Sequence, residues 1–362
     1  MKIKFNDISK QDKSILPSIF KNIKKIIKKT DFIQGDEVSL FEKKFAKFVN
    51  VKYCISCANG SDALFLAIKS LNLKKNDEII IPAMTYVATA NAVINNGCKL
   101  RLADVNKSNG SINQEEVVKK INSKTKAIII VNLWGHCDEY SKLKKICNKK
   151  KIYLIEDAAQ SIGATNSKNI NSGKIGHIAC FSFYPGKNLG AYGDGGAVVT
   201  NNKKIYNIIT KLHKNGTNDK KNYDLIGINS RLDTIQAGIL NHKLKKVNIN
   251  NNKRRVIASY YYKKLFSNKF NIIQGNKGSC FHQFVILVKK RNIFLNYLKK
   301  NKIPFGFHYP YSINHLKSFQ KLCNDKNLKI SSMIAKRGVS IPIHPSLKKK
   351  EIDFIIRKLN EF

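Results

Sequence analysis

Residues 127–131 read Ala-Ile-Ile-Ile-Val, an entirely apolar run that is followed at once by Asn132-Leu133-Trp134-Gly135-His136. Two further apolar runs, at 79–81 and 152–155, also end in polar or turn-forming residues, and helical patterns separate all three. Continuous apolar strands that alternate with helices are typical of a parallel β-sheet covered on both faces. The sequence therefore predicts an α/β fold.

Polar motifs follow these strands at the points where they end. They lie at Ser61, at Thr85-Tyr86, at His136, at residues 157–160 and at Lys187. Ligands of open α/β sheets bind outside the carboxyl ends of the strands. The shared placement predicts one functional site at that edge of the sheet.

Lys187 lies in residues 181–196, Phe-Ser-Phe-Tyr-Pro-Gly-Lys-Asn-Leu-Gly-Ala-Tyr-Gly-Asp-Gly-Gly. A Pro-Gly turn precedes the lysine, and four glycines follow it within nine residues. These residues break helices and favour a tight loop. The pattern sets Lys187 apart from the other lysines of the chain.

With 362 residues, the chain exceeds the usual size of one domain. We predict a large domain over residues 1–248 and a small C-terminal α+β domain over residues 249–362. A polar helical pattern at 250–266 would link the two, and 281–288 is the one clear strand of the C-terminal part. At the N-terminus, residues 8–30 have the pattern of a single amphipathic helix.

The formal net charge is +42, and only seven of the 66 basic residues are arginine. Nucleic-acid-binding proteins cluster their basic residues and use arginine for bidentate contacts. Here lysine is spread from end to end, which indicates a compositional bias on a solvated surface. We therefore expect no nucleic-acid partner.

Eight cysteines include the C-x-x-C pair Cys54 and Cys57, which lies in an apolar, strand-like run. No second pair completes a zinc-binding pattern, so we expect buried reduced thiols and no metal site. No apolar stretch has the length of a membrane span, and the N-terminus has no apolar signal core. We expect a cytoplasmic protein with no membrane partner.

A lysine and an acid at neighbouring strand ends suit pyridoxal phosphate chemistry. Lys187 would bond to the aldehyde of the cofactor, and Asp157 would keep the pyridine nitrogen protonated. Alternatively, Asp157 has a purely structural role and caps the Ala158-Ala159 turn.

Other residues of the motifs suit the remaining parts of that cofactor. Gly60, Ser61 and Ser182 could hold a phosphate, because the N–H groups at a helix start favour anions. Tyr86 could stack on the ring. In isolation, Ser61 is better explained as a helix cap and Tyr86 as a core aromatic.

Five ordered segments carry a resemblance to a known family: residues 58–64, 82–90, 156–160, 181–196 and 227–237. With them, nearly the whole chain resembles the DegT/DnrJ/EryC1/StrS family of pyridoxal-phosphate-dependent nucleotide-sugar aminotransferases. The resemblance implies a fold-type-I transferase, with a large domain built on a mostly parallel sheet and a smaller C-terminal α+β domain. It also implies a homodimer with both active sites at the subunit interface.

The resemblance assigns roles to the residues that match the family motifs. Lys187 matches the lysine that holds the cofactor and carries a proton between substrate and cofactor carbons. Asp157 matches the acid on the pyridine nitrogen, Gln160 the contact to the phenolic oxygen, and Tyr86 the stacking aromatic. Asn229 matches an asparagine that reaches the phosphate in the other subunit. The matching contacts to the phosphate within the subunit are Gly60, Ser61 and Ser182.

Sugar dehydratases of the family carry histidine in place of this lysine, so Lys187 favours amino transfer. A few dehydrating relatives retain the lysine and depend on an iron–sulfur partner. His136 departs from the Gly-Gln of many relatives and could face substrate or pack differently. The segment 311–314 also departs from the usual pattern, which leaves the sugar open.

Residues 182–195 are most similar to the branch that acts on dTDP-linked 3-keto-6-deoxyhexoses. We predict amino transfer from L-glutamate to C3 of such a sugar, with C4 of an NDP-4-keto-6-deoxyhexose as the alternative. A regulatory or nucleic-acid-binding protein is a more distant alternative. Arg231 could equally form a salt bridge at the dimer interface, and His308 and Tyr309 could equally be loop packing. The candidate substrate contacts are Tyr184, Arg231, His308 and Tyr309.

Overall fold

The computed structural model describes residues 3–219, 221–323, 325 and 327–362. Its helices are α1 (Ile8–Asp12), α2 (Leu16–Lys29), α3 (Asp36–Val49), α4 (Gly60–Lys69), α5 (Val87–Asn95), α6 (Gln114–Lys120), α7 (Ser141–Lys149), α8 (Lys203–Leu212), α9 (Thr234–Leu244), α10 (Val247–Lys264), α11 (Arg291–Lys300), α12 (Lys329–Arg337) and α13 (Lys349–Glu361). Its strands are β1 (Tyr53–Cys57), β2 (Glu78–Pro82), β3 (Lys99–Ala103), β4 (Thr125–Val131), β5 (Tyr153–Asp157), β6 (Ile178–Ser182), β7 (Gly196–Thr200), β8 (Phe270–Ile272), β9 (Phe284–Val288) and β10 (Gly338–Ile341).

Seven strands form the large sheet in the order β1-β7-β6-β5-β4-β2-β3. The pairs from β6 through β3 are parallel, and β7 is antiparallel to both β1 and β6. The predicted α/β class with a mostly parallel sheet is confirmed. The central strands are almost entirely buried and mostly apolar, as expected where helices cover both faces of a sheet.

The register of the central strands places the motifs side by side. Val131 at the end of β4 pairs with Asp157 at the end of β5, and Asp157 pairs with Cys180 of β6. Ser182 ends β6 and the Lys187 loop follows it. Three consecutive strands therefore deliver their terminal residues to one edge, as the sequence predicted.

The C-terminal part contains a second, antiparallel sheet in the order β10-β9-β8. The sequence predicted only one strand there, at 281–288. In the structure β9 begins at Phe284, because Phe281 has a φ of +44° that interrupts extended backbone. The strands β8 and β10 have three and four residues, too few for a period-two pattern to be recognised.

The N-terminal helix prediction also needs correction. Residues 8–30 form α1 and α2 instead of one helix, with residues 13–15 between them. Pro17 lies in the first turn of α2, where its missing N–H costs nothing, whereas inside a continuous helix it would remove a hydrogen bond.

Helix α10 packs in two hydrophobic cores, one beside the large sheet and one beside the second sheet. Val247 at its start packs with residues of α3 and α9, whereas Ile257 and Tyr261 pack in a second core made mostly of residues 257–359. Ile3 also packs in this second core, although it belongs to the N-terminal segment. The boundary between residues 248 and 249 stays a prediction.

The cysteines of the C-x-x-C pair are both buried in β1, and each of the eight cysteines has a free thiol. Burial raises the pKa of the Cys54 and Cys57 thiols, which keeps them protonated and unreactive. Within the described ranges, no helix combines the length and apolar character that crossing a bilayer requires.

A cluster of phenylalanines fixes α3 against the strand that precedes the Lys187 loop. Phe45 is fully buried, and its ring meets those of Phe181 and Phe183 edge-on at centroid distances of 5.0 and 5.2 Å. Edge-to-face pairs add to the stabilisation from burial. The cluster therefore holds β6 and the start of its loop in place.

We expect Phe45→Ala to lower the free energy of unfolding by about 3–5 kcal/mol, the usual cost of truncating a buried phenylalanine. Denaturation in urea, followed by circular dichroism, measures the change. Phe266→Ala is the matched control, because Phe266 is 73% exposed, and it should change stability by less than about 0.5 kcal/mol. Equal effects of the two substitutions would show that the cluster does not stabilise the fold.

Candidate active site

A cavity of about 770 Å³ lies at the carboxyl edge of the large sheet, and residues of α10 and of loops in the C-terminal part contribute part of its wall. Its size is within the usual range for sites that bind small molecules and cofactors. The predicted site residues that line it are Gly60, Ser61, Tyr86, Asp157, Gln160, Ser182, Tyr184, Lys187, His308 and Tyr309.

One end of the cavity is the N-terminus of α4. The side chain and carbonyl of Asn59 accept hydrogen bonds from the N–H groups of Asp62 and Ala63, at 2.8 and 3.1 Å. In the described part of the chain, the N–H groups of Gly60 and Ser61 have no acceptor. These groups and the positive end of the helix dipole form an anion site.

Gly60 is required here by a close approach of two chain segments. A Cβ atom at this position would lie 2.7 Å from the Cβ of Ser182, closer than real Cβ contacts. The glycine thus allows the end of β6 to pack on the start of α4. The Ser182 hydroxyl, which accepts from the N–H of Tyr184 at 3.3 Å, is thereby brought beside the free N–H groups.

Asp157 is buried at the floor of the cavity. Its carboxylate accepts a hydrogen bond from the Thr89 hydroxyl at 2.7 Å and from the N–H of Ala159 at 3.2 Å. Thr85 in turn donates to Thr89 at 2.8 Å, because the only proton of the Thr89 hydroxyl is used on Asp157. Burial raises the pKa of Asp157, and the bond from Thr89 opposes that rise.

Thr89 is a site residue that the sequence analysis did not select. It lies inside the motif at 82–90, in the first turn of α5 and four residues after Thr85, which precedes the helix. That i, i+4 spacing of two hydroxyls was the signal available in the sequence. The bond to Ala159 also agrees with the alternative in which Asp157 caps a turn, so the side chain does both.

Gln160 connects the two walls of the cavity. Its side-chain oxygen accepts from the N–H of Trp134 at 2.7 Å, and its amide nitrogen donates to the Tyr309 hydroxyl at 2.8 Å. The Tyr309 ring lies 5.2 Å from that of Tyr86. Tyr86 is 53% exposed and faces the cavity, so it is not a core aromatic.

Lys187 follows a tight turn in which its own N–H donates to the carbonyl of Tyr184 at 2.9 Å. The side chain is partly buried, and enclosure of its amine lowers the pKa to about 8, while the charge of Asp157 opposes the shift. An amine with this pKa is largely available as a nucleophile in mildly alkaline solution.

Residues of the C-terminal part complete the wall opposite the sheet edge. Arg254, His282 and Gln283 line the cavity, and sequence reasoning missed all three. They lie 67 or more positions from Lys187 in the chain, and no local pattern marks them. Their approach depends on the way α10 and β9 pack.

Three other predicted residues lie outside this cavity. Asn229 is exposed on the surface. Arg231 lines a separate, smaller pocket together with His213 and Lys214. His136 is buried between the rings of Trp134 and Phe281, at centroid distances of 6.1 and 5.9 Å, so it packs and does not face this cavity.

Comparisons with known proteins agree with this geometry. The model of the DegT/DnrJ/EryC1/StrS aminotransferase family matches residues 13–360. The chain belongs to this family. The predicted family, enzyme class and cofactor are confirmed: the protein is a pyridoxal-phosphate-dependent sugar aminotransferase.

Individual relatives are similar along their whole length. A UDP-2-acetamido-2-deoxy-3-oxo-D-glucuronate aminotransferase from Pseudomonas aeruginosa is 35% identical, and the match covers 99% of each chain. A dTDP-3-amino-3,6-dideoxy-alpha-D-galactopyranose transaminase from Aneurinibacillus thermoaerophilus is also 35% identical, with 99% of both chains covered. The crystal structure of a DegT DnrJ EryC1 StrS aminotransferase from Brucella abortus has a TM-score of 0.95 at 31% identity, covering 99% of both chains.

The cavity of this aminotransferase fits its cofactor. The free N–H groups of Gly60 and Ser61 and the hydroxyl of Ser182 suit the phosphate, and the buried carboxylate of Asp157 suits a protonated ring nitrogen. When bound, the cofactor serves as an electron sink for cleavage at the substrate carbon. The residues named above would hold and orient the cofactor.

We expect the rate of covalent cofactor attachment to the cofactor-free enzyme to rise with pH and to level off above about pH 8. The amine of Lys187 must be deprotonated to react, and its pKa is lowered to about 8. Stopped-flow absorbance between pH 6 and 11 measures the profile.

Asp157→Asn should shift the midpoint of that profile to lower pH, because it removes the negative charge that raises the pKa of Lys187. A midpoint near 10.5, the value of an exposed lysine, would contradict the enclosed position of the amine.

Proposed function

We propose that the enzyme transfers an amino group from L-glutamate to C3 of a dTDP-linked 3-keto-6-deoxyhexose and forms the 3-amino-3,6-dideoxy sugar. The observation that supports amino transfer is that the enclosed amine of Lys187 and the buried carboxylate of Asp157 lie in one cavity. Support for the sugar comes from residues 182–195 and from the similarity to the dTDP-3-amino-3,6-dideoxy-alpha-D-galactopyranose transaminase.

The roles of the residues follow from their positions. Asp157, held by Thr89 and Ala159, keeps a proton on the ring nitrogen of the cofactor and thereby favours withdrawal of electrons from the substrate carbon. Lys187 would hold the cofactor and would act as the general base for the proton on that carbon. Tyr86 and Tyr309, whose rings lie 5.2 Å apart in the cavity wall, limit the access of water.

The amino acid and the keto sugar must use the same cavity in turn, because each has to reach Lys187. The nucleotide of the sugar extends away from the reacting carbon. We infer that Tyr184, His308 and Tyr309, which line the cavity, contact the sugar, and that Arg231 acts outside it.

We also propose that the enzyme is a homodimer whose subunits complete each other's sites. Asn229 is exposed and does not line the cavity of its own chain. Ile226, three residues earlier, is also exposed, at 87%. Exposed apolar side chains on α2 and α3 and between these helices support a covered surface. They are Phe20, Ile27, Phe32, Ile33 and Leu40.

The sugar specificity is tested by incubating the enzyme with L-glutamate and a panel of keto sugars, followed by mass spectrometry of the products. We expect an amino product, in which one oxygen atom of the keto substrate is replaced by one nitrogen and three hydrogen atoms, from the dTDP-linked 3-keto-6-deoxyhexose. Lys187→Ala should give no product because it lacks the attaching amine. Turnover of only the 4-keto sugar, or of only a UDP-linked sugar, would contradict the proposed substrate.

Shared active sites are tested by mixing two inactive variants, Lys187→Ala and Asn229→Asp. The aspartate places a negative charge where the asparagine would meet the phosphate. After random reassortment of a two-fold dimer, half of the molecules are hybrids with one unaltered site, so activity should recover to about one quarter of wild type. If Asn229 acted within its own subunit, the mixture would show no more than the mean activity of the two parents.

A further inference from the structure

Arg254 is a buried cation at the cavity wall. It lies on α10, is 2% exposed and lines the cavity that contains Lys187. Its guanidinium has five N–H groups. Among the described residues, the only acceptor that it reaches is the carbonyl of Ile343, and its Nε atom is buried without a partner.

No carboxylate of the described residues pairs with this guanidinium. Arg101, by contrast, forms ion pairs with Glu78 and Asp325, at 3.1 and 3.3 Å. Burial lowers the pKa of Arg254 to about 10, so the group still carries its charge at neutral pH. A buried charge without a counter-ion is unfavourable, and binding of an anion offsets that cost.

Two histidines, His282 and His308, line the cavity together with Arg254, and both are neutral. Burial lowers the pKa of His308 to about 4 and that of His282 far below its usual value. Burial is the main cause of the lowered pKa of His282, and the positive charges of Lys187 and Arg254 lower it further. Arg254 is therefore the permanent positive charge of this end of the cavity.

Hydrogen bonds fix the orientation of His282 and thereby the shape of this end. Asn251 donates to the carbonyl of Ile162 at 2.9 Å, so its side-chain oxygen accepts from Asn188 at 2.8 Å. The oxygen of Asn188 consequently accepts from Nδ1–H of His282 at 3.1 Å. The other ring nitrogen of His282, Nε2, is therefore unprotonated and acts as an acceptor. It has no proton to donate to a carboxylate.

We propose that Arg254 binds a carboxylate of the amino donor. The inference rests on the proposed function, in which an amino acid and a neutral 6-deoxy sugar ring enter the same cavity in turn. Only the amino acid has a carboxylate on the carbon that reacts beside Lys187. Arginine presents paired N–H groups that match the two oxygens of a carboxylate, which Lys187 cannot do while it handles the cofactor and the proton.

The test compares the two half-reactions of wild type, Arg254→Gln and Lys253→Gln. Lys253 is an exposed neighbour on the same helix and serves as the matched control. We expect Arg254→Gln to raise the apparent Kd for L-glutamate at least about 30-fold, as loss of one partner of a buried charge pair does. The half-reaction with the keto sugar should change less than about threefold, and Lys253→Gln should leave both unchanged.

A binding measurement that involves no reaction supplies a second readout. Calorimetric titration with glutarate, which has two carboxylates and no amino group, should show weaker binding to Arg254→Gln than to wild type. Arg254→Lys keeps the charge but not the paired N–H groups, and it carries the test if thermal melting shows that the glutamine variant is unfolded. We expect its Kd for glutamate to rise about tenfold.

The outcomes separate the two proposals. Unchanged glutamate and glutarate affinities in Arg254→Gln or Arg254→Lys would overturn the carboxylate site. Loss of affinity for the sugar alone would also overturn it and would indicate an anionic group on the sugar. If the wild-type enzyme failed to react with any amino acid, the proposed function would be wrong. Glutarate binding that depends on Arg254 would still support the carboxylate site in that case.

Discussion

The structure depends on placing two opposite charges, the amine of Lys187 and the carboxylate of Asp157, in one partly enclosed cavity. Burial shifts the pKa of each toward its neutral form, and the opposite charge of the other counteracts the shift. Neither residue would be a stable choice at its position without the other. The parallel register of β4, β5 and β6 satisfies this requirement, because it ends three strands at one edge and lets the Lys187 loop return over Asp157.

Different elements form the two sides of the site. On the sheet side, the phenylalanines of α3 hold β6, and the hydroxyls of Thr85 and Thr89 hold Asp157. On the opposite side, α10 and the second sheet bring up Arg254 and His282. A cofactor held by the large sheet and substrates that meet the second wall agree with a family that uses one chemistry on different sugars.

The sequence predicted the sheet side of the site well and the opposite side poorly. Lys187 and Asp157 were predictable because strand ends and glycine-rich turns leave local patterns that place polar residues at one edge. Arg254 and His282 left no such pattern, because their positions depend on contacts between segments that are far apart in the chain. The strands β8 and β10 were missed because each has four residues or fewer, and the helix at 8–30 was predicted as one because its apolar spacing hid the break before Pro17.

The central claim is that one lysine among many holds the cofactor. Reduction of the cofactor-loaded enzyme with borohydride, followed by proteolysis and peptide mass mapping, tests it directly. We expect a single phosphopyridoxyl group per chain, located on Lys187, because among the described lysines only this amine combines a pKa lowered to about 8 with a helix N-terminus suited to phosphate in the same cavity. A label spread over surface lysines, or located on a different lysine, would contradict the account.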